Sequence, residues 1–205
     1  MLELLRYVLP LYTIFVFGYI FIFRSHLISR KINTPTMVLP KDGSLECLLG
    51  RYFKFTHYGL LIFCLTFSLY PDIQFYLGLF NFLNKISLQI IGLISLFTSC
   101  SWMILAQVTM SNSWRMGVDK KKKTELITGG LFTISRNTFF LGLLIFFTSI
   151  FLLSPNILTL FLFTTQFILI SIQIRIEEHH LAHIHNEKYI NYQKRVKRYL
   201  GKQKN

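Results

Sequence analysis

The stretch that decides the fold is "TFFLGLLIFFTSIFLLSPNILTLFLFTTQFILISIQI", residues 138–174, which contains no ionisable side chain. Its 37 residues are too many for one membrane crossing, because a helix needs only about 20 apolar residues to span roughly 30 Å of hydrocarbon. Ser154, Pro155 and Asn156 interrupt the stretch, and these residue types favour tight turns. The sequence therefore predicts two helices, residues 138–153 and 157–174, joined as a hairpin whose two ends meet.

Three further uncharged or nearly uncharged runs precede this hairpin. They are Tyr7–Phe23, Tyr58–Phe80 and Ile86–Met110, and Pro71 and Asp72 mark the outer end of the second run. Only helices and closed barrels satisfy their backbone hydrogen bonds within hydrocarbon, and runs of this length indicate helices. We expect an all-α integral membrane protein with about five transmembrane helices, of which residues 1–110 supply three.

The charge distribution supports this topology. The chain has a net charge of +13, but its cations lie in blocks between apolar runs, not on one soluble face as in a nucleic-acid-binding protein. Of 22 Lys and Arg residues, 20 fall on two alternate loops and on the tail. Cytoplasmic loops are enriched in these residues, so we expect the N-terminus outside and the C-terminus in the cytoplasm. The run Lys120 to Lys123 is interpreted as a patch that faces anionic membrane lipids.

Two polar segments flank the hairpin and are predicted to meet on the cytoplasmic side, namely residues 111–137 and 175–200. Glu177 and Glu178 lie just past the membrane edge, where a carboxylate is costly without a partner. One interpretation is that either of them pairs with Arg136 or Arg175 and ties the hairpin ends together. The other is that one carboxylate reaches a hydroxyl or an amine of a ligand.

Three histidines after these glutamates, at positions 179, 180 and 183, share one helical face and suggest a metal site. No HExxH order and no further ligand set accompanies them, so we predict an interfacial helix and no metal. The three cysteines have no paired spacing, and neither a disulfide framework nor a cysteine metal site is predicted.

Aromatic and basic residues recur at every third position further along, at Tyr189, Tyr192, Arg195 and Arg198. This spacing predicts a cytoplasmic amphipathic helix that lies on the membrane, and the same helix would be placed to close a polar pocket. Gly129 and Gly130 allow a tight turn or a close ligand approach, but they do not form a phosphate-binding motif.

Two segments together, "LITGGLFTISRNTFFLG" at residues 126–142 and "EEHHLAHIHNEKYINYQKRVKR" at residues 177–198, resemble the isoprenylcysteine carboxyl methyltransferase and phospholipid methyltransferase superfamily of integral membrane enzymes. "SWRMGVD", residues 113–119, is similar to a Trp-Arg-x-Gly segment of its bacterial-type members. The matching positions are Leu126, Ile127, Thr128, Gly130, Phe132, Arg136, Asn137, Phe140, Gly142, Glu177, Glu178, Leu181, Tyr189, Tyr192, Val196 and Arg198.

The chain also departs from the pattern of that superfamily. Leu131 and Thr138 replace usual prolines, and Phe132 and Phe140 replace usual tyrosines. His185 and Asn186 stand where Phe-Gly is usual.

The resemblance implies S-adenosylmethionine as cofactor, held between the loop before the hairpin and the C-terminal helix, and a lipophilic acceptor that arrives from the bilayer. Residues 111–205 would then form a methyltransferase-like catalytic region around the hairpin at 138–174. The implied catalytic residues are Glu177, Glu178 and Arg136. The implied cofactor-binding residues are Leu126, Thr128, Gly130, Arg136, Asn137, Glu178, Tyr189 and Arg198.

Within this set, Arg136 or Arg198 is expected to bind the cofactor's carboxylate, and Glu177 or Glu178 its ribose or amine. An acceptor carboxylate needs no base, whereas an acceptor amine must lose a proton, which Glu177 or Glu178 would take.

Two other functions remain open at this point. A membrane reductase of the sterol-reductase type would use NADPH, and Lys120 to Lys123 would offer cationic contacts for its extra phosphate. A non-catalytic membrane binding protein is the other, because similar folds host different functions. The sequence leaves open whether the acceptor is a prenylated cysteine, an aminolipid or another small lipophilic acid or thiol, and it does not indicate the oligomeric state.

Overall fold

The computed structural model describes residues 1–34, 36, 43–114 and 125–202, and every regular element within these ranges is a helix. The Lys120 to Lys123 patch and residues 115–119 of the segment "SWRMGVD" lie outside the described residues. The helices are α1 (Leu2–Ile32), α2 (Leu45–Leu69), α3 (Ile73–Tyr76), α4 (Ile86–Met110), α5 (Thr138–Leu153), α6 (Ile157–His185) and α7 (Glu187–Arg195), with short 3₁₀ turns at Ser111–Ser113 and Gly130–Thr133.

Three of these helices, α1, α4 and α6, are long and apolar enough to cross a membrane. Helix α5 is also apolar but has only 16 residues. These helices fit an integral membrane protein, and the expected number of five spans remains a prediction.

Helix α1 is longer than the apolar run that predicted it. The run ends at Phe23, but the helix continues through the basic segment Arg24–Ile32 and ends at Asn33, whose φ is +50°. The drop in hydrophobicity after Phe23 indicates a polar environment. It does not end the helix, because Arg, Ser, His and Lys all tolerate helical geometry. Its central part, Val16–Phe23, is π-helical.

The hairpin turn lies at the predicted interruption. Asn156 caps α6, because its side chain accepts a hydrogen bond from the backbone N–H of Thr159 at 3.0 Å and the Thr159 hydroxyl in turn accepts one from the Asn156 N–H at 3.2 Å. The Thr159 hydroxyl also donates to the Ser154 carbonyl at 2.7 Å. This reciprocal capping box closes the turn between α5 and α6.

The segment after α3 covers this turn. The backbone N–H of Phe80 donates to the Pro155 carbonyl at 2.8 Å, and the N–H of Ile157 donates to the Leu77 carbonyl at 3.0 Å. The backbone groups of the turn are therefore bound by protein and do not depend on water.

Helices α4 and α5 pack closely, and this packing positions the start of the hairpin. A side chain at Gly142 would place its Cβ 2.6 Å from the Cγ of Met103. The close approach of the two helices therefore requires a residue without a side chain at this position. The indole N–H of Trp102 donates to the Thr138 carbonyl at 2.9 Å. Together these contacts fix the first turn of α5 against α4.

A candidate active site at the open end of the hairpin

The carboxylate of Glu178 lies at the centre of a buried polar cluster. Its side chain is 6% exposed, and its Oε1 atom accepts a hydrogen bond from the Asn137 amide at 3.0 Å and lies 3.1 Å from an Nη of Arg136. Its Oε2 atom accepts two hydrogen bonds from the Arg198 guanidinium, at 2.8 and 3.1 Å. Three segments far apart in the sequence therefore meet on one carboxylate.

Arg136 and Asn137 reach this carboxylate because they lie immediately before α5. The backbone N–H of Asn137 donates to the Ser135 hydroxyl at 3.2 Å, and the Thr138 hydroxyl donates to the Ser135 carbonyl at 2.9 Å. Thr138 stands where the superfamily usually has a proline, and its hydroxyl stabilises the turn by a hydrogen bond where proline would do so through its rigid ring. The Thr138 side chain is fully buried.

Arg198 reaches the carboxylate from the tail. The amphipathic stripe was predicted to continue through Arg198, and this is wrong, because α7 ends at Arg195 and Val196 is extended. The chain then turns back, so that the Arg136 N–H donates to the Lys197 carbonyl at 3.2 Å and the Asn137 amide to the Arg198 carbonyl at 3.1 Å.

Gly201 allows this return of the tail. Its φ is +105°, a conformation that residues with a side chain rarely adopt, and its N–H donates to the Ile134 carbonyl at 2.8 Å. A glycine after the amphipathic stripe is a sequence signal that could have indicated this turn.

Glu177 and Arg175 lie outside this cluster. Glu177 accepts a hydrogen bond at 2.8 Å from the amide of Gln173, one turn earlier on α6, and Arg175 donates to the Ser171 carbonyl at 2.7 Å. Of the two neighbouring glutamates, Glu178 ties the hairpin ends together. Its partners are Arg136, as expected, and Arg198, which was expected only as a cofactor contact.

A small apolar cluster packs beside these charges. Phe132, Tyr189, Tyr192 and Val196 are buried together, and the half-buried Leu126 packs against them. The Tyr192 hydroxyl donates to the Phe132 carbonyl at 2.6 Å. Burial raises the pKa of both tyrosines, so each phenol keeps its proton at neutral pH. The two tyrosines of the helix that was expected to close a polar pocket are therefore buried members of this apolar cluster.

Gly130 has a conformational role at this site. Its φ is +58°, and an added Cβ would lie 3.1 Å from the Cγ2 of Thr109. Gly129 has an extended backbone and open space at its Cβ position. Thr128, another predicted cofactor contact, is half-buried in the non-helical segment just before them.

The histidines after Glu178 do not converge on one point. His179 and His183 are exposed on α6, and His180 is half-buried. Among the described residues no group of three or more His, Cys, Asp or Glu side chains could hold a metal ion.

Residues 87–188, about half of the chain, match the model of the phospholipid methyltransferase family. Comparisons with curated proteins and with solved structures gave no match. The matched segment includes α4, the hairpin and Glu178, and it ends just before the two buried tyrosines of α7. A domain of this family indicates a methyltransferase with a lipid-related acceptor. The chain thus carries a phospholipid methyltransferase domain at residues 87–188 and belongs through it to the isoprenylcysteine carboxyl methyltransferase-like superfamily.

Proposed function

We propose that the protein transfers a methyl group from S-adenosylmethionine to a lipophilic or lipidated acceptor at the cytoplasmic face of a membrane. The observation that carries the proposal is the Glu178 cluster, in which the buried Glu178 carboxylate contacts the buried Arg136, the Asn137 amide and the more exposed Arg198 inside or next to the family-matched segment.

These side chains fit the polar groups of S-adenosylmethionine. Its amino-acid end has a carboxylate and an ammonium group, and its ribose has two hydroxyls. Arg136 and Arg198 would bind the carboxylate, Glu178 the ammonium group or a ribose hydroxyl, and Asn137 either kind of group. The Nε of Arg136 is buried and has no hydrogen-bond partner among the described residues, so one guanidinium donor remains for a ligand.

When bound, this cofactor supplies a methyl group on a sulfonium, and the protein's contribution to such a displacement is mainly to align the acceptor with it. A carboxylate acceptor needs no base. For an amine acceptor, Glu177 is the better proton acceptor of the two glutamates, because a single amide hydrogen bond engages it whereas Glu178 is bound by three side chains.

The five-span topology with a cytoplasmic C-terminus is part of this proposal. It is supported by the 20 of 22 cations that fall on alternate loops and the tail, and these cations would face anionic lipids. In this arrangement the Glu178 cluster lies on the cytoplasmic side, where the open end of the hairpin emerges.

Binding measured by calorimetry on the detergent-purified protein tests the proposal. We expect S-adenosylmethionine to bind and NADPH not to bind, and we expect Arg136→Ala and Glu178→Gln to weaken binding at least tenfold. Arg175→Ala is the matched control, since Arg175 is exposed and hydrogen-bonds to the Ser171 carbonyl of its own helix, and the affinity of this variant should be unchanged. Selective binding of NADPH would support a reductase, and binding of neither would support a non-catalytic binding protein.

A second measurement addresses the acceptor. The purified protein would be incubated with methyl-labelled S-adenosylmethionine and a membrane lipid extract, and the labelled lipids would be separated. Label in an amine-containing lipid or in a carboxyl ester identifies the class of acceptor, and no transfer from bound cofactor would contradict the catalytic proposal.

A further inference from the structure

His57 is a half-buried histidine on α2 whose ring lies among aromatic rings. Four phenylalanines from three helices surround its imidazole, and their ring centroids lie between 4.8 and 6.4 Å from its own. They are Phe17 and Phe21 of α1, Phe53 of α2 and Phe147 of α5. We call this group the His57 cage.

The hydrogen bonds of the imidazole define its tautomer. The Nδ1 atom lies 2.6 Å from the Phe53 carbonyl, which can only accept, so Nδ1 carries the proton and donates. In the neutral ring the Nε2 atom then carries a lone pair. That atom is buried and has no hydrogen-bond partner among the described residues. An unsatisfied buried acceptor is costly, and a phenylalanine here would pack without this cost.

The part of α1 that faces His57 has an unusual backbone. Phe17 and Phe21 belong to the π-helical stretch Val16–Phe23, and both rings contact the same imidazole. π-Helical turns are rare and occur frequently at functional sites. Two observations therefore support a functional role for the cage, namely the π-helical backbone and the unpaired Nε2 atom of His57.

The His57 cage lies close to the candidate active site. Phe21 contacts Phe139 edge to face, with centroids 5.7 Å apart, and Phe139 follows Asn137 by only two residues at the start of α5. One ring thus separates the cage from the open end of the hairpin.

Three rings of the cage reach the surface of the protein, because Phe17, Phe21 and Phe53 are partly exposed. In the proposed topology these rings face lipid, so an acceptor from the bilayer would reach the buried Nε2 atom by displacing one of them.

We propose that His57 determines the specificity for the methyl acceptor by accepting a hydrogen bond at Nε2 from an amine head group. This inference rests on the proposed function. An ammonium or amine group donates hydrogen bonds, and the faces of the surrounding phenyl rings attract its positive charge. A carboxylate has no proton to donate and meets a lone pair, so the cage favours lipophilic amines over lipophilic acids.

The test compares dodecylamine with dodecanoate, which have the same chain length and opposite head groups. Protein labelled with ¹⁵N-histidine in detergent micelles is titrated with each, and the His57 Nε2 resonance is identified by its loss in His57→Phe. We expect dodecylamine to shift this resonance and dodecanoate to leave it in place. An unmoved resonance with saturating dodecylamine contradicts the inference.

Binding affinities of variants give the second measurement. His57→Phe, which keeps a ring but removes the acceptor, should weaken dodecylamine binding about tenfold, equivalent to about 1.4 kcal/mol, with no change for dodecanoate. His57→Gln, whose amide oxygen can accept, should recover part of the loss. His26→Phe makes the same change at an exposed histidine and is the control. If His57→Phe does not fold, the wild-type resonance and His57→Gln decide the question.

The outcome separates this inference from the proposed function. Should the wild-type protein shift the His57 resonance with dodecylamine but bind no S-adenosylmethionine, the methyltransferase proposal fails and the amine site stands as a lipid-binding site. Should it bind the cofactor and methylate dodecanoate as fast as dodecylamine, the specificity proposed for His57 is wrong.

Discussion

Replacement of Glu178 by Gln should strongly destabilise the fold, because it removes a charge that a buried arginine needs. The side chains of Glu178 and Arg136 are only 6% and 10% exposed, and their charged atoms are 3.1 Å apart. Removing one partner of a buried ion pair costs about 3–5 kcal/mol. The pair with Arg198 adds little, since that side chain is 36% exposed and exposed pairs contribute about 0–1 kcal/mol.

The expected loss in the free energy of unfolding is therefore about 3–5 kcal/mol, and it comes mainly from Arg136. It can be measured by circular dichroism during unfolding in mixed micelles of a mild detergent and dodecyl sulfate. Glu177→Gln is the matched control, because it makes the same change one residue earlier, at a side chain bonded to the Gln173 amide. We expect that control to lose less than about 1 kcal/mol.

A double variant isolates the pair itself. Combining Glu178→Gln with Arg136→Gln removes both charges, so the total loss should be smaller than the sum of the single losses by about 1.5–3 kcal/mol. Equal losses for the Glu177 and Glu178 variants, or additive losses in the double variant, would refute the assignment of Glu178 as the buried counter-ion of Arg136.

Three further substitutions have expected effects on the same unfolding measurement. Gly130→Ala should cost about 1–2 kcal/mol because φ is +58° there, whereas Gly129→Ala, at an extended residue with open space, should cost under about 0.5 kcal/mol; equal costs would contradict the conformational role. Asn156→Ala removes the capping box of α6 and should cost about 1–2 kcal/mol; a neutral effect would show that the turn does not need its cap. Tyr192→Phe leaves the buried Phe132 carbonyl without its donor and should cost about 1–3 kcal/mol, while a gain in stability would exclude that hydrogen bond.

The sequence predicts the apolar elements of this fold well, because a long uncharged run in a membrane satisfies its backbone hydrogen bonds by forming a helix. The helix Ile86–Met110 has the bounds of the run that predicted it, and the interruption at Ser154–Asn156 is the hairpin turn. The ends of α1 and α2 were not predictable in this way. Both helices extend into charged segments, where hydrophobicity no longer reports on backbone conformation.

The candidate site was predictable in part, because a hairpin must bring its two ends together. The hairpin geometry alone places Arg136 near the two glutamates, of which Glu178 is its partner. It cannot choose between neighbouring glutamates, because that choice depends on which face of α6 packs against the rest of the protein. It also misses Arg198, since the break at Val196 and the returning tail depend on tertiary hydrogen bonds. His57 was missed for the same reason, as its cage combines residues of three helices.

The covered hairpin turn has a consequence for how the domain meets the bilayer. Helix α5 has 16 residues and rises about 24 Å, which is shorter than a hydrocarbon layer of about 30 Å. Non-helical backbone is tolerated at membrane depth when protein covers it, and residues 77–80 cover this turn. In the proposed five-span arrangement the outer end of the hairpin would therefore lie about 6 Å below the hydrocarbon boundary, and a bilayer of ordinary thickness would need no local thinning around the domain.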